Sequence, residues 1–206
     1  KYPYLTVLDA EVKNSTCTED FGKKFPQRFI EAYIAEQNMV GMAGGLAARG
    51  KLPVAATFAA FFPRAFDQLR MAQYAATHQI YAGTHAGVSI GQDGPSQMGL
   101  EDIAMFRALH SATVLYPADA YATERLLEQA IQAQGMVYLR LTRATQPILY
   151  TQKTTFPIGG SHILCQSTKD IVTVVAAGIT LFAALNAAAA LRNEKRLVRV
   201  IDCYSI

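Results

Sequence analysis

Apolar, β-branched runs alternate along this chain with segments whose apolar residues recur every three or four positions. The first pattern suits strands and the second suits helices with one face turned to a core. Strands are expected near residues 28–34, 53–57, 79–83, 112–116 and 136–141, and helices near 38–49, 61–75, 100–109 and 119–133. In the first of these helices Met39, Met42, Ala43 and Leu46 share a face, with Asn38 as a plausible N-cap. Asp119 stands as an acidic cap behind Pro117, which ends the strand before it. Strict alternation of the two types predicts an α/β fold, a mostly parallel sheet covered by helices.

From 146 to 161 the texture turns to Pro, Thr, Gly and polar residues, a linker by composition. Beyond it lie a strand near 171–176, an alanine-rich helix near 179–192 and a strand near 197–201. This single βαβ repeat is too small to be a complete domain. The expected organisation is a whole domain over residues 1–150, followed over 151–206 by a linker and the opening of a second, truncated domain. Both ends read as cut, the chain starting near one strand and stopping at the end of another.

Composition narrows the options without choosing among them. Half of the 206 residues are hydrophobic, 51%, enough for one or two packed cores, and no stretch is low-complexity. A net charge of +3 gives no reason to invoke nucleic acid, and it suits phosphorylated substrates. Cys17, Cys165 and Cys203 are far apart and match no metal or redox spacing, which favours a reduced, cytoplasmic setting. No apolar run approaches about 18 uncharged residues, so no membrane span is expected. Phosphate-loop, dinucleotide-binding and zinc-protease signatures are all missing.

Three segments carry candidate chemistry. The stretch His85-Ala-Gly-Val-Ser-Ile-Gly-Gln-Asp-Gly-Pro-Ser-Gln97 is glycine-rich and follows a strand, where open α/β sheets place their ligands. It can bring His85, Asp93 and Gln97 into one cleft, and it equally describes an ordinary loop with an Asp-Gly-Pro turn. In Tyr33-Ile-Ala-Glu-Gln-Asn38 a carboxylate sits among apolar neighbours at a strand–helix junction. Burial there suits it to proton sharing; the alternative is an acid placed in a helix's first turn by the dipole. Finally, four phenylalanines fall within Phe58–Phe66, more than a surface helix needs. Some belong to a core, and one or two can form a flat wall for a heterocycle.

Taken together these strings resemble transketolases. The similarity runs through Ile34-Ala-Glu-Gln-Asn-Met-Val40, Thr57-Phe-Ala-Ala-Phe-Phe-Pro-Arg-Ala-Phe-Asp-Gln-Leu-Arg-Met71, and His85 to Met98. It continues in Leu100-Glu-Asp-Ile-Ala-Met-Phe-Arg107, Tyr116-Pro-Ala-Asp119 and Val172-Thr-Val-Val-Ala-Ala-Gly-Ile-Thr-Leu181. Lys13-Asn-Ser-Thr16 and Glu36-Gln-Asn38 favour the mammalian-like branch. The resemblance implies a doubly wound, mostly parallel sheet with helices on both faces, the family's thiamin-diphosphate pyrimidine-binding domain, followed by the start of its C-terminal domain. It further implies transfer of a two-carbon ketol unit between sugar phosphates, such as xylulose 5-phosphate and ribose 5-phosphate, in the pentose phosphate pathway.

The same resemblance implies roles position by position. Glu36 would hydrogen-bond N1′ of the cofactor's aminopyrimidine and so assist proton removal from the thiazolium. Phe61 would stack on the pyrimidine with Phe58 beside it, and Gln97 would hydrogen-bond in the cofactor site. His85 would lie near the reacting carbonyl, Asp93 near a sugar hydroxyl, and Ser15 with Arg143 would hold the substrate phosphate. Glu11 stands where the family commonly has an acid one methylene shorter, beside the thiazolium; a solvated loop carboxylate is the other reading, and Glu11 is left out of the set.

In this family the diphosphate and its magnesium or calcium ion are held by another domain, marked by Gly-Asp-Gly and a later Asn pair. Gln92-Asp93-Gly94 is not that motif, and Asn-Asn occurs nowhere. The family's site also forms between the two subunits of a homodimer, so this chain is expected to be nearly silent alone. Rival readings are another thiamin-diphosphate enzyme, such as deoxyxylulose-phosphate synthase, and a catalytically lapsed transketolase-like binding protein.

Overall fold

The computed structural model describes residues 1–110 and 112–206. Strand β1 (Leu5–Asp9) opens the chain and is followed by two short helices, α1 (Lys13–Thr16) and α2 (Thr18–Lys24). Then come β2 (Phe29–Glu31), α3 (Glu36–Ala48), β3 (Leu52–Phe58), α4 (Phe66–Tyr74) and β4 (Gln79–Thr84). A long loop of 3₁₀ turns leads to α5 (Asp102–Arg107), β5 (Thr113–Leu115), α6 (Ala120–Gln132) and β6 (Met136–Arg140). The strands form a six-stranded sheet in the order β2-β1-β3-β4-β6-β5, parallel, with helices on both faces. This is the doubly wound architecture expected from the alternation of strand-like and helix-like runs.

Several local expectations are corrected. Helix α3 begins at Glu36, not at an Asn38 cap, because the Met39 amide already donates to the Ala35 carbonyl at 2.9 Å. Tyr33 makes this start possible by taking a left-handed φ of 55°, which turns the chain sharply out of β2. The strand expected over 28–34 is accordingly only three residues long. Segment 61–75 is not one helix: Pro63 seeds a 3₁₀ turn, Phe62–Ala65, before α4. Strand β1 is the strand near which the chain was expected to start, now with bounds.

The chain is organised as two compact units, residues 1–114 with 130–144, and residues 115–129 with 145–206. In the first, the core is an aromatic stack, with Phe106 and Tyr138 parallel at 3.8 Å and Phe62 edge-on to both Tyr81 and Tyr138. Edge-to-face and offset contacts of this kind suit the ring quadrupoles. The second unit holds β7 (His162–Cys165), β8 (Asp170–Ala176), α7 (Thr180–Asn193) and β9 (Leu197–Asp202). Its three-stranded sheet is ordered β7-β9-β8, with β8 and β9 parallel and β7 antiparallel. Residues 146–161 contain no helix or strand, as their composition suggests. They are tied down by Asp119, whose Oδ2 accepts from the Leu149 and Tyr150 amides while Oδ1 caps α6 through Ala122.

Candidate functional site

Strand order places a switch point between β1 and β3, whose onward connections leave in opposite directions across the sheet. Ligands of open α/β sheets bind in the crevice beyond the carboxyl ends of strands at such a point. Each candidate residue follows a strand's carboxyl end or closes the strand: Ser15 after β1, Glu36 after β2, Phe58 at the end of β3 with Phe61 just beyond it, His85, Asp93 and Gln97 after β4, and Arg143 after β6.

The centre is a row of flat groups. Phe58 lies parallel to Phe61, with centroids 5.2 Å apart, and on its other contact stacks with the His85 ring at 4.1 Å. The Arg64 guanidinium sits over Phe61 at 4.5 Å and donates from Nη1 to Oε1 of Glu36 at 2.7 Å. Glu36 is 4% exposed. A cleft of about 430 Å³ opens beside this pair, lined by residues 34–38 and Arg64. The four phenylalanines thus divide by environment: Phe62 is core, Phe58 is buried wall, Phe61 is half-buried wall and Phe66 reaches solvent.

The loop after β4 is held close to this wall. Gly87 donates to the Gly99 carbonyl at 2.8 Å, closing residues 87–99 into a compact loop. A Cβ on Gly99 would stand 2.7 Å from the Ala59 Cβ and 2.9 Å from the Ala60 nitrogen, so only glycine lets the loop lie against the end of β3. Within the loop Asp93 pairs with Arg143 at 3.1 Å, and Arg143 also donates to the Ile90 carbonyl at 3.0 Å. His85 is buried at a left-handed φ of 56°, its Nδ1 3.0 Å from the Thr84 hydroxyl. Burial holds the His85 pKa below the usual imidazole value; the nearby Arg143 charge pushes the same way and Asp93 opposes it.

The structure therefore joins Glu36, Phe61, Phe58 and His85 in one line of contacts and sets Asp93 with Arg143 beside it. Among the described residues, neither Ser15 nor Gln97 joins this line through its side chain; the Ser15 hydroxyl points to Asn14 at 3.5 Å. Glu11 is exposed and left-handed, with its amide bonded to Glu31. Arg64 is the participant that sequence reasoning missed. It lies 28 residues from Glu36, and no local spacing marks the pair. Among the described residues no group of three or more His, Cys, Asp or Glu side chains is arranged to hold a metal ion. No helix among them is long and apolar enough to cross a membrane.

A buried carboxylate beside stacked rings lies at the switch point of a doubly wound α/β sheet, where folds of this class place their ligands. Comparison with known proteins makes the assignment specific. Residues 1–147 match the profile described as the transketolase pyrimidine-binding domain. The chain is 48% identical to human transketolase over 98% of its own length and 33% of that protein. It is 49% identical to bovine transketolase-like protein 1 over 97% of its length and 34% of that protein. Among solved structures, one described as a split-gene transketolase, inactive β4 tetramer, superposes with a TM-score of 0.88 at 40% identity, covering 99% of this chain and 66% of that one. Campylobacter jejuni transketolase shares the fold, with a TM-score of 0.90 at 23% identity over 100% of this chain and 33% of that one. The chain belongs to the transketolase family. It spans about a third of the length of the curated relatives it matches.

Proposed function

We propose that this chain supplies the pyrimidine-gripping and sugar-contacting half of a transketolase site, completed by the diphosphate-binding domain of a partner subunit in a homodimer. Residues 1–150 would be the pyrimidine-binding part, and 151–206 the linker and opening of the C-terminal domain. The observation that carries the reading is the unbroken line Glu36–Arg64–Phe61–Phe58–His85 at the carboxyl ends of the strands. Its buried carboxylate, flat apolar wall and adjoining cleft fit an aminopyrimidine ring. Thiamin diphosphate, when bound, supplies the electron sink that lets a carbon–carbon bond beside a carbonyl break and reform. Its diphosphate and magnesium or calcium ion would be held by the partner domain.

Within this half each residue has a physical task. Glu36 holds a proton-sharing hydrogen bond at the ring nitrogen in a site shielded from water, where such a bond is strongest. Phe61 and Phe58 fix the plane of the ring by stacking. His85, with its pKa depressed, stays largely neutral near pH 7 and can exchange a proton with a carbonyl or hydroxyl oxygen. Gln97 adds a hydrogen bond to the cofactor, and Asp93 meets a sugar hydroxyl. Arg143 and Ser15 take the phosphate, whose binding energy orients the reacting end. Asp93 and Arg143 pair with each other at 3.1 Å, so substrate entry would open that pair and give each a new partner. The substrates would be xylulose 5-phosphate and ribose 5-phosphate, used by the cytoplasmic pentose phosphate pathway.

The test is a coupled ketol-transfer assay with both sugars, thiamin diphosphate and magnesium. The chain is assayed alone, with a separately expressed transketolase N-terminal half, and as Glu36→Ala. Activity is expected only in the mixture, reduced at least about 100-fold by Glu36→Ala, the scale of one acid–base group. Full activity from the chain alone would refute the split-site reading. No activity in a mixture that assembles would leave a binding-only role.

A further inference from the structure

The pair formed by Arg64 and Glu36 has an asymmetry that the proposed site does not by itself require. The Glu36 side chain is 5% exposed, whereas that of Arg64 is 51% exposed. Arg64 leans inward from the 3₁₀ turn Phe62–Ala65, and its backbone carbonyl is held by the Gln37 side-chain amide at 3.0 Å. Its main chain is therefore anchored while the side chain can swing to water.

A guanidinium is flat, cationic and rimmed with N–H donors, and it stacks on aromatic faces while bonding carboxylates. Here it does both, lying over Phe61 at 4.5 Å and donating to Glu36 at 2.7 Å. Those are the two contacts assigned above to the aminopyrimidine. We propose that Arg64 is an internal stand-in for the cofactor ring: it fills the ring's place in the unliganded chain and yields only to a flat ligand whose ring nitrogen takes up a proton from water and presents it to Glu36 as a cationic N–H donor, as the guanidinium does. This rests on the reading of the site as a pyrimidine subsite.

The burial asymmetry gives the stand-in its selectivity. Withdrawing Arg64 costs the guanidinium little, because water receives it. Glu36 would be left charged and buried without a partner, which is strongly unfavourable. Exchange succeeds when the incoming ring replaces both the stacking contact and the N–H. A flat ligand with no donor at that position leaves the carboxylate stranded and is rejected. The cleft lined by residues 34–38 and Arg64 is the route by which the two groups change places.

The experiment uses the full chain and 4-amino-2-methylpyrimidine as probe. In NMR spectra the Arg64 side-chain signals, shifted by the Phe61 ring current, are expected to move to solvent-exposed values as the probe saturates. Arg64→Met, which keeps the stem and removes the donor, is expected to bind the probe about tenfold more tightly, as when the competent state is about a tenth populated. Arg64→Lys is expected to fall between. If the probe binds and the Arg64 signals stay in place, or Arg64→Met binds it no better, the stand-in is overturned. Glu36→Gln separates this failure from that of the site: probe binding insensitive to Glu36→Gln overturns the pyrimidine subsite itself, as does the absence of binding to every variant. The Arg64 signals are read on the unsubstituted chain, so a poorly folding variant does not remove the test.

Discussion

His85 ends the line of stacked groups in the candidate site. Its left-handed backbone costs an L-residue about 1–2 kcal/mol, and such strain persists where the surroundings over-determine it. They do so here: the Phe58 ring on its face, Thr84 beside Nδ1, and the next residue, Ala86, donating to the Leu141 carbonyl at 3.0 Å. Burial lowers the pKa of the ring, and the charges of Arg143 and Asp93 pull it in opposite directions, Arg143 down and Asp93 up. Arg143→Gln should therefore raise the His85 pKa and Asp93→Asn should lower it further. Titration of the imidazole proton signals reads both shifts; movement in the same direction would show that the three groups do not share one electrostatic site.

At the scale of elements, the loop that carries Asp93 and Gln97 depends on a buried ion pair below it. Asp102, fully buried at the start of α5, accepts from Arg140 Nε at 2.8 Å and from the Tyr138 hydroxyl at 2.7 Å. Arg140 also reaches the Gly99 carbonyl at 3.2 Å, so one guanidinium on β6 fastens both α5 and the end of the loop. Asp102→Ala should cost about 3–5 kcal/mol, since it removes the carboxylate and leaves a buried cation. Denaturant unfolding measures this, and hydrogen exchange at Gly87 and Gly99 should rise with it. A loss below about 1 kcal/mol, the level of an exposed pair, would show that the pair is dispensable. The same scale explains what could be read in advance. Strands β3, β4 and β6 are apolar runs bounded by breakers, and the helices between them carry clear spacing. Strand β1 was read only as a strand near the start of the chain, without bounds, because it ends in Asp9, which reads as a turn residue. In the fold Asp9 is buried and satisfied by Thr16, Thr18 and the Val12 amide, partners that exist only once the chain has turned. Strand β7 is four residues long and follows the linker, with no period to mark it. Glu36, Phe61 and His85 were legible because each sits at a junction of elements. Arg64 was not, because its meaning lies in a contact across 28 residues.

At the scale of the whole molecule, the two compact units carry buried titrating groups of opposite sign. In the first, the depressed pKa of His85 means that the unfolded chain binds this proton more tightly. Acidification from the ordinary value of 6.5 toward the lowered one therefore drains stability. In the second, Asp202 is buried on β9, accepts from the Tyr150 hydroxyl at 2.5 Å and has its pKa pushed up to about 6. Burial is the main cause, Asp119 adds to it, and the Tyr150 hydrogen bond and nearby His162 oppose it. The folded state here binds the proton more tightly, so this contribution is full below 3.8 and is lost as pH rises through about 6. Between pH 5 and 6 the two contributions run in opposite directions. Amide exchange should then show peptides from β3 and β4 gaining protection as pH rises, after correction for intrinsic exchange, while peptides from β8 and β9 lose it. Asp202→Asn should flatten the second trend and leave the first. Tyr150→Phe removes a bond that favours the charged carboxylate and should carry the second trend to higher pH. Equal slopes in both sets of peptides would mean that the units open together as one cooperative body, with only the sum of their proton equilibria visible.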